Sequence, residues 1–423
     1  MQIDVIGNNL CALVTASSLA QSGHRLRLVV TDPVLGKTLA SGQCPLPEAG
    51  LAELFASQLG NNLQVVQRED YREPAAQVFM SLAPGNHSQL EWVLKALGES
   101  AACRVLINQS SFAVGTSESM QRQLRDAGSQ CVVVTLPDTL QEGAAIKSFT
   151  RPDHILLGCD DADTELLLRE LLRPYNRRRD VIQVMRPREA EFAKLAIGGM
   201  LAARLSLMND LANLAESLDV DIENIRQAVG SDPRIGEAYL YPGCGFGGPG
   251  FSRDVMTLTE TLRAGEQQAK LLEAVLAINE TQKEILFRKF WRHYQGDVQG
   301  KQVAIWGAAF KPGSDKIDNA PVLTLLKAFW AQGITTHVHD PLALPNLKRW
   351  AGDEPCLVLH EQPMTAVQDC HALLLVTEWK GYWGPDWQQL KQAMANPLLL
   401  DGRNIYDPAY VRAQGFTYSG IGR

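Results

Sequence analysis

The sequence predicts an α/β protein in which two doubly wound parallel sheets flank a helical middle region. Residues 3–32 follow the order strand, glycine turn, helix and strand, and a similar strand and glycine turn begin near Gly300. Between them, a continuous helical pattern runs from Glu189 to Leu218. We therefore expect three domains, at residues 1–188, 189–298 and 299–423.

The first domain is predicted from alternating strands and helices. "IDVI" and "HRLRLVV" are apolar and β-rich, and the stretch between them spaces small and apolar residues as a helix does. Further apolar runs, "VVVTL" at 132–136 and "HILLG" at 154–158, alternate with helical segments. This alternation favours a parallel sheet covered by helices, and hence a Rossmann-like domain.

The middle domain is predicted to begin with one long helix. A helix of about 30 residues spans roughly 45 Å. From its pattern alone it is either a connector between domains or a dimerisation spine. Its small and apolar residues recur at helical spacing along one narrow face: Phe192, Leu195, Ala196, Gly199, Ala203, Leu207, Leu211 and Leu214.

The last domain is predicted to be a second Rossmann-like unit. "KQVAIWGAAFKPGSD" predicts a strand that ends in a glycine turn, and "ITTHVHDP", "ALLLVTEW" and "PLLLDGRN" supply further strands. Two α/β domains around a helical middle favour a ligand cleft between them.

Composition excludes several classes of protein. The chain of 423 residues carries a formal charge of −7, which argues against a nucleic-acid or membrane-surface binder. No apolar stretch approaches the roughly 20 residues needed to span a bilayer, and the N-terminus does not resemble a signal peptide. The basic run Arg177–Arg179 fits a solvated turn better than a phosphate site. The eight cysteines contain no CxxC pair, so we predict no metal site, no disulfide framework and a cytoplasmic protein.

The glycine turn after the first strand departs from the dinucleotide-binding pattern GxGxxG, in which backbone approaches a pyrophosphate closely. The matching residues are Gly7, Asn9 and Ala12. Asn9 tolerates a positive φ, but its side chain would project where a pyrophosphate lies. Val30 stands where an acid should bind a ribose, and Asp32, two residues later, is either a turn residue or a recruited ligand. The turn keeps the Rossmann shape while its dinucleotide chemistry is eroded.

Seven ordered motifs resemble those of the UDP-glucose/GDP-mannose dehydrogenase family along nearly the whole chain. They are "EFAKLAIGGMLAARLSLMNDLANLAE", "DPRIG", "GFGGPGFSRDV", "GAAFKPGSD", "TEW", "DGRNIYD" and "GFTYSGIGR". Members of that family oxidise a sugar C6 alcohol to an acid with two molecules of NAD, through a covalent intermediate on a cysteine. The resemblance implies NAD as cofactor, a nucleotide sugar as ligand and a homodimer.

The family's catalytic residues are only partly present. Gly250 matches the cysteine of the family motif GGSCFPKD, and glycine has no side chain for covalent catalysis. Cys244, six residues earlier, is expected to be a buried thiol rather than a substitute, since small misplacements of a nucleophile are costly. The family's lysine and asparagine, four residues apart on a helix, match Lys194 and Gly198. Asp254 is retained.

By the same resemblance, the cofactor contacts are weakened. An arginine that reaches the NAD pyrophosphate in the motif FKP-x-x-DD-x-R is replaced by Asp318, and an aspartate is replaced by Lys316. At 4 Å and an effective dielectric near 20, each unit charge pair is worth about 4 kcal/mol, so the reversed sign is unfavourable. A swapped surface pair is the alternative. Ser111 matches a family threonine and still supplies a hydroxyl.

The nucleotide-sugar side retains more of the family's residues. They include an acidic pair, a glycine loop with an aromatic residue, and cations that suit phosphate as a fork or as a point charge. The retained residues are Asp138, Glu142, Arg234, Phe246, Gly247, Lys311 and Arg403.

We therefore predict a family member that binds a UDP-sugar or a similar nucleotide sugar, lacks four-electron catalysis and has impaired NAD binding. Such a pseudoenzyme would have a regulatory or scaffolding role, with proteins of polysaccharide synthesis as partners by family analogy. Two alternatives stay open. One is an NAD-dependent UDP-sugar dehydrogenase with altered, two-electron chemistry, and the other is a purely structural partner protein.

Overall fold

The structure, a computed structural model, describes residues 1–83, 85–177 and 179–423. Arg178, within the basic run singled out above, lies outside the described residues. The chain divides into two compact units, Met1–Ala196 and Ile197–Arg423. The boundary between them falls inside the long helix.

The described residues of the first unit form an eight-stranded sheet. Its strands are β1 (Gln2–Ile6), β2 (Arg25–Val30), β3 (Leu63–Gln67), β4 (Gln77–Met80), β5 (Val105–Asn108), β6 (Val132–Thr135), β7 (Ile155–Gly158) and β8 (Ile182–Met185). They are ordered β3-β2-β1-β4-β5-β6-β7-β8, and neighbours are parallel except for β6 and β7. The inner strands are buried runs of Val, Ile and Leu, as expected for a parallel sheet covered on both faces.

Helices connect these strands. They are α1 (Leu10–Gln21), α2 (Pro33–Ala40), α3 (Leu51–Gln58), α4 (His87–Gly98), α5 (Thr116–Asp126), α6 (Ala145–Thr150) and α7 (Ala162–Leu172), with short 3-10 helices at Arg68–Asp70 and Arg173–Tyr175. The strand order reverses between β1 and β4. In open α/β sheets, ligands bind at the carboxyl ends of the strands that flank such a reversal.

The second unit combines helices with a second sheet. Helix α8 (Pro187–Leu218) enters it, followed by α9 (Ile222–Ser231), α10 (Phe251–Ala264), α11 (Lys270–Lys283) and α12 (Ile285–His293). The sheet contains β9 (Gln302–Trp306), β10 (Thr335–His339), β11 (Leu357–His360), β12 (Ala372–Leu375), β13 (Leu398–Asp401) and β14 (Thr417–Ser419). The remaining helices are α13 (Pro321–Trp330), α14 (Leu344–Ala351), α15 (Pro363–Ala366), a 3-10 helix (Lys380–Tyr382), α16 (Trp387–Ala393) and α17 (Pro408–Ala413).

The second sheet is parallel throughout its described strands and is ordered β11-β10-β9-β12-β13-β14. Its order reverses between β9 and β12, so the residues after these strands are its expected ligand-binding edge. The predicted fold class, with two doubly wound sheets and a helical middle region, is confirmed.

Helix α8 has two apolar faces where the sequence predicted one. Leu195 is buried, and so is Gly199, where an added Cβ would lie 2.8 Å from a methyl carbon of Leu258. In contrast, Leu207 and Leu214 are 59% and 52% exposed. The residues predicted to form one narrow face are therefore divided between a buried side and an exposed side of this helix.

Candidate functional site

The turn after β1 is built on close contact between two strand ends. A Cβ at Gly7 would lie 2.2 Å from the carbonyl oxygen of Ser81, which follows β4, and 2.8 Å from the Cβ of Ala12. Only glycine fits where backbone approaches this closely. Gly7, Asn9 and Ala12, which the sequence predicted as one turn, therefore lie together at the reversal of the first sheet.

Asn9 caps helix α1. Its φ is −104°, in the extended region, so the positive φ that asparagine tolerates is not used. Its Oδ1 accepts hydrogen bonds from the backbone N–H of Ala12 and from Oγ of Ser81, both at 3.0 Å. In dinucleotide-binding proteins, N–H groups at this helix end face a pyrophosphate. Here the Asn9 side chain accepts from one of these N–H groups, that of Ala12.

The acid nearest the end of β2 serves as a helix cap. Val30 ends the strand, and the carboxylate of Asp32 caps helix α2 by accepting from the N–H groups of Val34 and Leu35 at 2.8 and 3.1 Å. The residue between them, Thr31, is clamped by Asn8 of the turn after β1. Asn8 accepts from the Thr31 N–H at 2.9 Å.

Asn8 also donates to the Thr31 hydroxyl at 2.6 Å, which completes a two-way clamp between neighbouring strand ends. Sequence reasoning missed this clamp. Its signal is Asn8, the first asparagine of "GNN", which has no assigned role in the glycine pattern.

Asp138 and Lys194 lie together in the first unit. The Lys194 ammonium donates to the backbone carbonyl of Asp138. The Asp138 carboxylate accepts from the N–H of Leu140 at 2.8 Å, and burial raises the pKa of this carboxyl. Asp138, Cys11 and Gln109 line a cavity of ≈ 50 Å³, which is large enough for a few water molecules but too small for a sugar.

Glu142 and Ser111 lie on loops that follow strands β6 and β5. Ser111 is partly exposed. The loop that carries Glu142 is held by a residue that sequence reasoning missed. The carboxylate of Glu48 accepts from the N–H groups of Gly143 and Ala145 at 2.7 and 2.8 Å. Glu48 is buried although it lies in a polar, proline-containing stretch, so no hydrophobic periodicity in the sequence predicts its burial.

In the second unit, the glycine loop around Phe246 packs against the segment that follows β9. A Cβ at Gly247 would lie 2.5 Å from the carbonyl oxygen of Asn319. Gly248 has φ of +103°, and its N–H donates to the carbonyl of Asp318 at 2.7 Å. These contacts require glycine at both positions.

Buried amide side chains hold this loop in place. Asn279 accepts from the Phe246 N–H at 2.8 Å and donates to the Phe246 carbonyl at 3.1 Å. Asn209 and Gln282 bond the N–H and carbonyl of Gly243 at 2.9 and 2.8 Å. These three amides were missed by sequence reasoning. The sequence pattern that marks them is an amide side chain on the apolar face of a helix. A buried amide rarely lacks a hydrogen-bond partner.

Gly250 is the N-cap of α10 and has helical backbone angles, with φ of −81° and ψ of −61°. Among the described residues, apart from Gly250 and its two chain neighbours, no atom lies within 4 Å of a Cβ added there. Asp254 is buried in the first turn of α10. A Cβ at Gly198 would lie 3.3 Å from the Cβ of Asp254, so glycine there lets α8 approach α10.

Lys311 and Asp318 occupy the segment between β9 and α13. The Lys311 ammonium lies 5.4 Å from the ring centroid of Phe310, within the range of a cation–π contact. Asp318 has an exposed side chain, while its backbone carbonyl is bound by the glycine loop. Asp318 thus places an exposed negative charge next to that loop.

Arg403 joins the end of β13 to the glycine loop. Its Nε donates to the carbonyl of Val376 at 2.6 Å, and Nη1 donates to the carbonyl of Gly245 at 3.3 Å. Glu378 lies 3.3 Å from Nε. Among the described residues, the buried Nη2 has no hydrogen-bond partner. Since a buried donor without a partner is costly, this nitrogen suits an anionic ligand.

Two further predicted residues of the second unit have other environments. Arg234 is exposed and forms a two-pronged ion pair with Asp232, at 2.7 and 3.0 Å. Cys244 is fully buried, and burial raises the pKa of its thiol. Its sulfur lies under the backbone, where a Cβ at Gly402 would meet it at 2.9 Å. Cys244 is therefore placed as a packing residue rather than as a nucleophile.

Residues 1–83, 85–177 and 179–423 contain no helix that is both long enough and apolar enough to cross a membrane. The same residues contain no cluster of three or more His, Cys, Asp or Glu side chains that could hold a metal ion.

Comparison with known protein families gives three matches, in chain order. Residues 1–176 match the NAD binding domain of the UDP-glucose/GDP-mannose dehydrogenase family. Residues 188–281 match the central domain of that family, and residues 304–408 match its UDP binding domain.

Whole-length relatives agree with these matches. The chain is 37% identical over 447 residues to a UDP-glucose 6-dehydrogenase of Pseudomonas aeruginosa, covering 100% of this chain and 98% of the relative. It is 30% identical to one of Rhizobium meliloti, covering 100% of both. Among solved structures, it is similar to a UDP-glucose dehydrogenase from Pyrobaculum islandicum, with a TM-score of 0.87 and 26% identity, covering 100% of this chain and 97% of that one.

Proposed function

The chain belongs to the UDP-glucose/GDP-mannose dehydrogenase family. From this premise we propose that it binds a nucleotide sugar but does not catalyse the four-electron oxidation of that sugar. The observation that carries the proposal is Gly250, at the position of the family's nucleophile. A thioester cannot form on a residue without a side chain. Cys244, the nearest thiol in sequence, is buried and has a raised pKa, so it does not replace the missing sulfur.

The backbone geometry at Gly250 supports loss of function rather than a structural need for glycine. Its helical φ and ψ suit any residue, and among the described residues the space around a Cβ is open. A cysteine would therefore fit at this position. Its absence removes chemistry and leaves the fold of α10 unaffected.

The second unit keeps features that suit a nucleotide diphosphate. Arg403 directs a buried, unpartnered Nη2, Lys311 supplies a second cation, and the glycine loop is fixed by Asn279. Arginine and lysine are the usual cations that hold phosphate, as a fork and as a point charge respectively. We propose a UDP-sugar as the ligand, by analogy with the relatives.

The first unit carries the family's NAD-binding domain, but we propose that NAD binding there is impaired. Two departures in this unit support the proposal: the Asn9 cap and Val30 at the end of β2. A regulatory or scaffolding role beside enzymes of polysaccharide synthesis follows from binding without oxidation. For domain boundaries we propose residues 1–188, 189–298 and 299–423.

We also propose that the chain is a homodimer formed along α8. Met200, Leu207, Leu214 and Leu218 are 67%, 59%, 52% and 62% exposed on this helix. Successive exposed apolar residues over five turns are typical of a helix that packs against a partner.

A turnover assay tests the proposed function. The purified chain is incubated with UDP-glucose, UDP-N-acetylglucosamine or GDP-mannose and with NAD or NADP, and reduced nicotinamide is followed by absorbance. We expect no turnover. Uronic acid formation would refute the proposal, and an aldehyde product would establish the two-electron alternative.

Calorimetry with UDP separates a binding protein from a purely structural one. We expect heat of binding for the wild-type chain and a weakened signal for Lys311→Gln, which removes a phosphate-facing cation. The matched control Lys327→Gln removes a cation on α13, outside this segment, and should bind as the wild type does. Absence of heat with the wild type would favour the structural alternative.

A further inference from the structure

Two cysteines far apart in sequence meet in the first unit. Sγ of Cys103 lies 3.0 Å from Sγ of Cys131, and the two thiols share a weak S–H···S hydrogen bond. Their side chains are 2% and 1% exposed and belong to one apolar cluster with Leu97, Met120 and Leu124. Among the described residues, the other six cysteines form no comparable pair. The sequence, which lacks a CxxC motif, gave no sign of this contact.

The pairing of neighbouring strands holds these thiols in place. Cys103 precedes β5 and Cys131 precedes β6, and the two strands pair in parallel from Val105 and Val132 onwards. The side chain of Gln121, on α5, donates to the Cys131 carbonyl at 2.9 Å and accepts from the Val133 N–H at 2.8 Å. These contacts fix the backbone that carries the two thiols. The 3.0 Å between the sulfurs is about 1 Å longer than a covalent S–S bond, whose length is about 2.05 Å.

We propose that Cys103 and Cys131 are an oxidation site, at which a peroxide converts the two thiols into an intrachain disulfide. One thiolate attacks a peroxide oxygen, which gives a sulfenic acid and releases one water from hydrogen peroxide. The second thiol attacks the sulfenic sulfur, the S–S bond forms and a second water leaves. The thiols lose two electrons and two protons in total, and hydrogen peroxide is reduced to two waters.

Burial determines how fast this reaction runs and which oxidant can start it. The hydrogen bond to Cys103, together with burial, raises the pKa of the Cys131 thiol, so little thiolate is present at neutral pH. Oxidation is therefore slow and accelerates with rising pH. Hydrogen peroxide is close to water in size, whereas bulky aromatic disulfide reagents need the cluster to open.

The disulfide would also constrain a segment that belongs to the candidate site. The two cysteines are 28 residues apart, and the closed loop contains β5, the Ser111 loop and α5. Closing a loop of this length restricts the unfolded chain, so the oxidised form has a higher melting midpoint than the reduced form. The bond itself joins the entries of β5 and β6, at the edge of the sheet opposite the Ser111 loop.

Mass spectrometry of the whole chain tests the proposal directly. The wild-type protein is treated with hydrogen peroxide, its free thiols are alkylated, and the unreduced sample is digested with trypsin. Trypsin isolates each cysteine in its own peptide, residues 96–104 for Cys103 and residues 126–147 for Cys131. We expect a cross-linked peptide pair two hydrogens lighter than the sum of its parts, removed by dithiothreitol, and a melting midpoint several degrees higher.

Cysteine-to-serine variants show which residues form the disulfide. Cys103→Ser and Cys131→Ser should each abolish the cross-linked pair, whereas Cys370→Ser, which removes a buried thiol of the second unit, should retain it. Full alkylation of both peptides after peroxide treatment of the folded wild-type chain would overturn the proposal. So would a cross-link of either cysteine to a different cysteine. The wild-type measurement decides the matter even where a serine variant folds poorly.

Discussion

The cap at Asn9 gives a prediction whose size follows from the structure. Asn9→Ala removes the acceptor for the Ala12 N–H, and loss of such a cap costs about 1 kcal/mol. It also removes the acceptor of the Ser81 hydroxyl, which is 2% exposed, at a further cost of about 1 kcal/mol. For a unit of 196 residues, Met1–Ala196, a loss of about 2 kcal/mol lowers the melting midpoint by about 4–8 °C.

Differential scanning calorimetry measures this effect, with two matched controls. Asn9→Asp keeps an oxygen acceptor at the helix N-terminus and should unfold close to the wild type. Asn61→Ala removes an exposed asparagine and should change stability by less than about 0.5 kcal/mol. If Asn9→Ala were as stable as Asn9→Asp, the capping argument would be refuted.

The same position links stability to cofactor binding. Asn9→Gly removes the side chain that occupies the helix end and leaves the Ala12 N–H for a pyrophosphate, so it should bind NAD more tightly than the wild type. Isothermal titration calorimetry compares the two. Equal NAD affinity would show that Asn9 is not what impairs the site.

Three further predictions concern the rest of the chain. The free energy of unfolding of Gly250→Cys should lie within about 0.5 kcal/mol of the wild-type value. This variant should still form no uronic acid from UDP-glucose and NAD. Uronate detected by mass spectrometry would show an intact cofactor site. Burial lowers the pKa values of His337 and His360, so the folded chain binds fewer protons than the unfolded chain. The contribution of these histidines to stability is therefore complete above about pH 6.5 and is lost as the pH falls. His360→Gln should therefore flatten the fall in melting midpoint from about pH 7.5 to about pH 5, while the exposed His293→Gln should not; equal slopes would contradict this. Leu207→Glu should convert a dimer to a monomer in light scattering, and a monomeric wild-type chain would refute the proposed interface.

The fold could be predicted because its strands and helices are defined by local patterns. The apolar runs at 132–136 and 154–158 correspond to β6 and β7, and the helical pattern from Glu189 corresponds to α8. Parallel strands buried on both faces leave a strong signal in sequence. The faces of α8 were not predictable in the same way, because the residues that cover Gly199 come from other helices.

The site was predictable only as a set of positions. Motif matching found Asn9, Gly250 and Arg403, but not the contacts of their side chains. The Asn8–Thr31 clamp, the Asn279 anchor and the Cys103–Cys131 pair join residues 23, 33 and 28 positions apart. Such contacts depend on how strands and loops meet in three dimensions, which spacing along the chain does not encode.

The central claim is that the second unit still holds a nucleotide diphosphate while the first no longer holds NAD well. Parallel calorimetric titrations of one wild-type preparation, with UDP and with NAD, test it most directly. The account predicts saturable heat with UDP and little or none with NAD over the same concentration range. Tight NAD binding, or the absence of UDP binding, would contradict it.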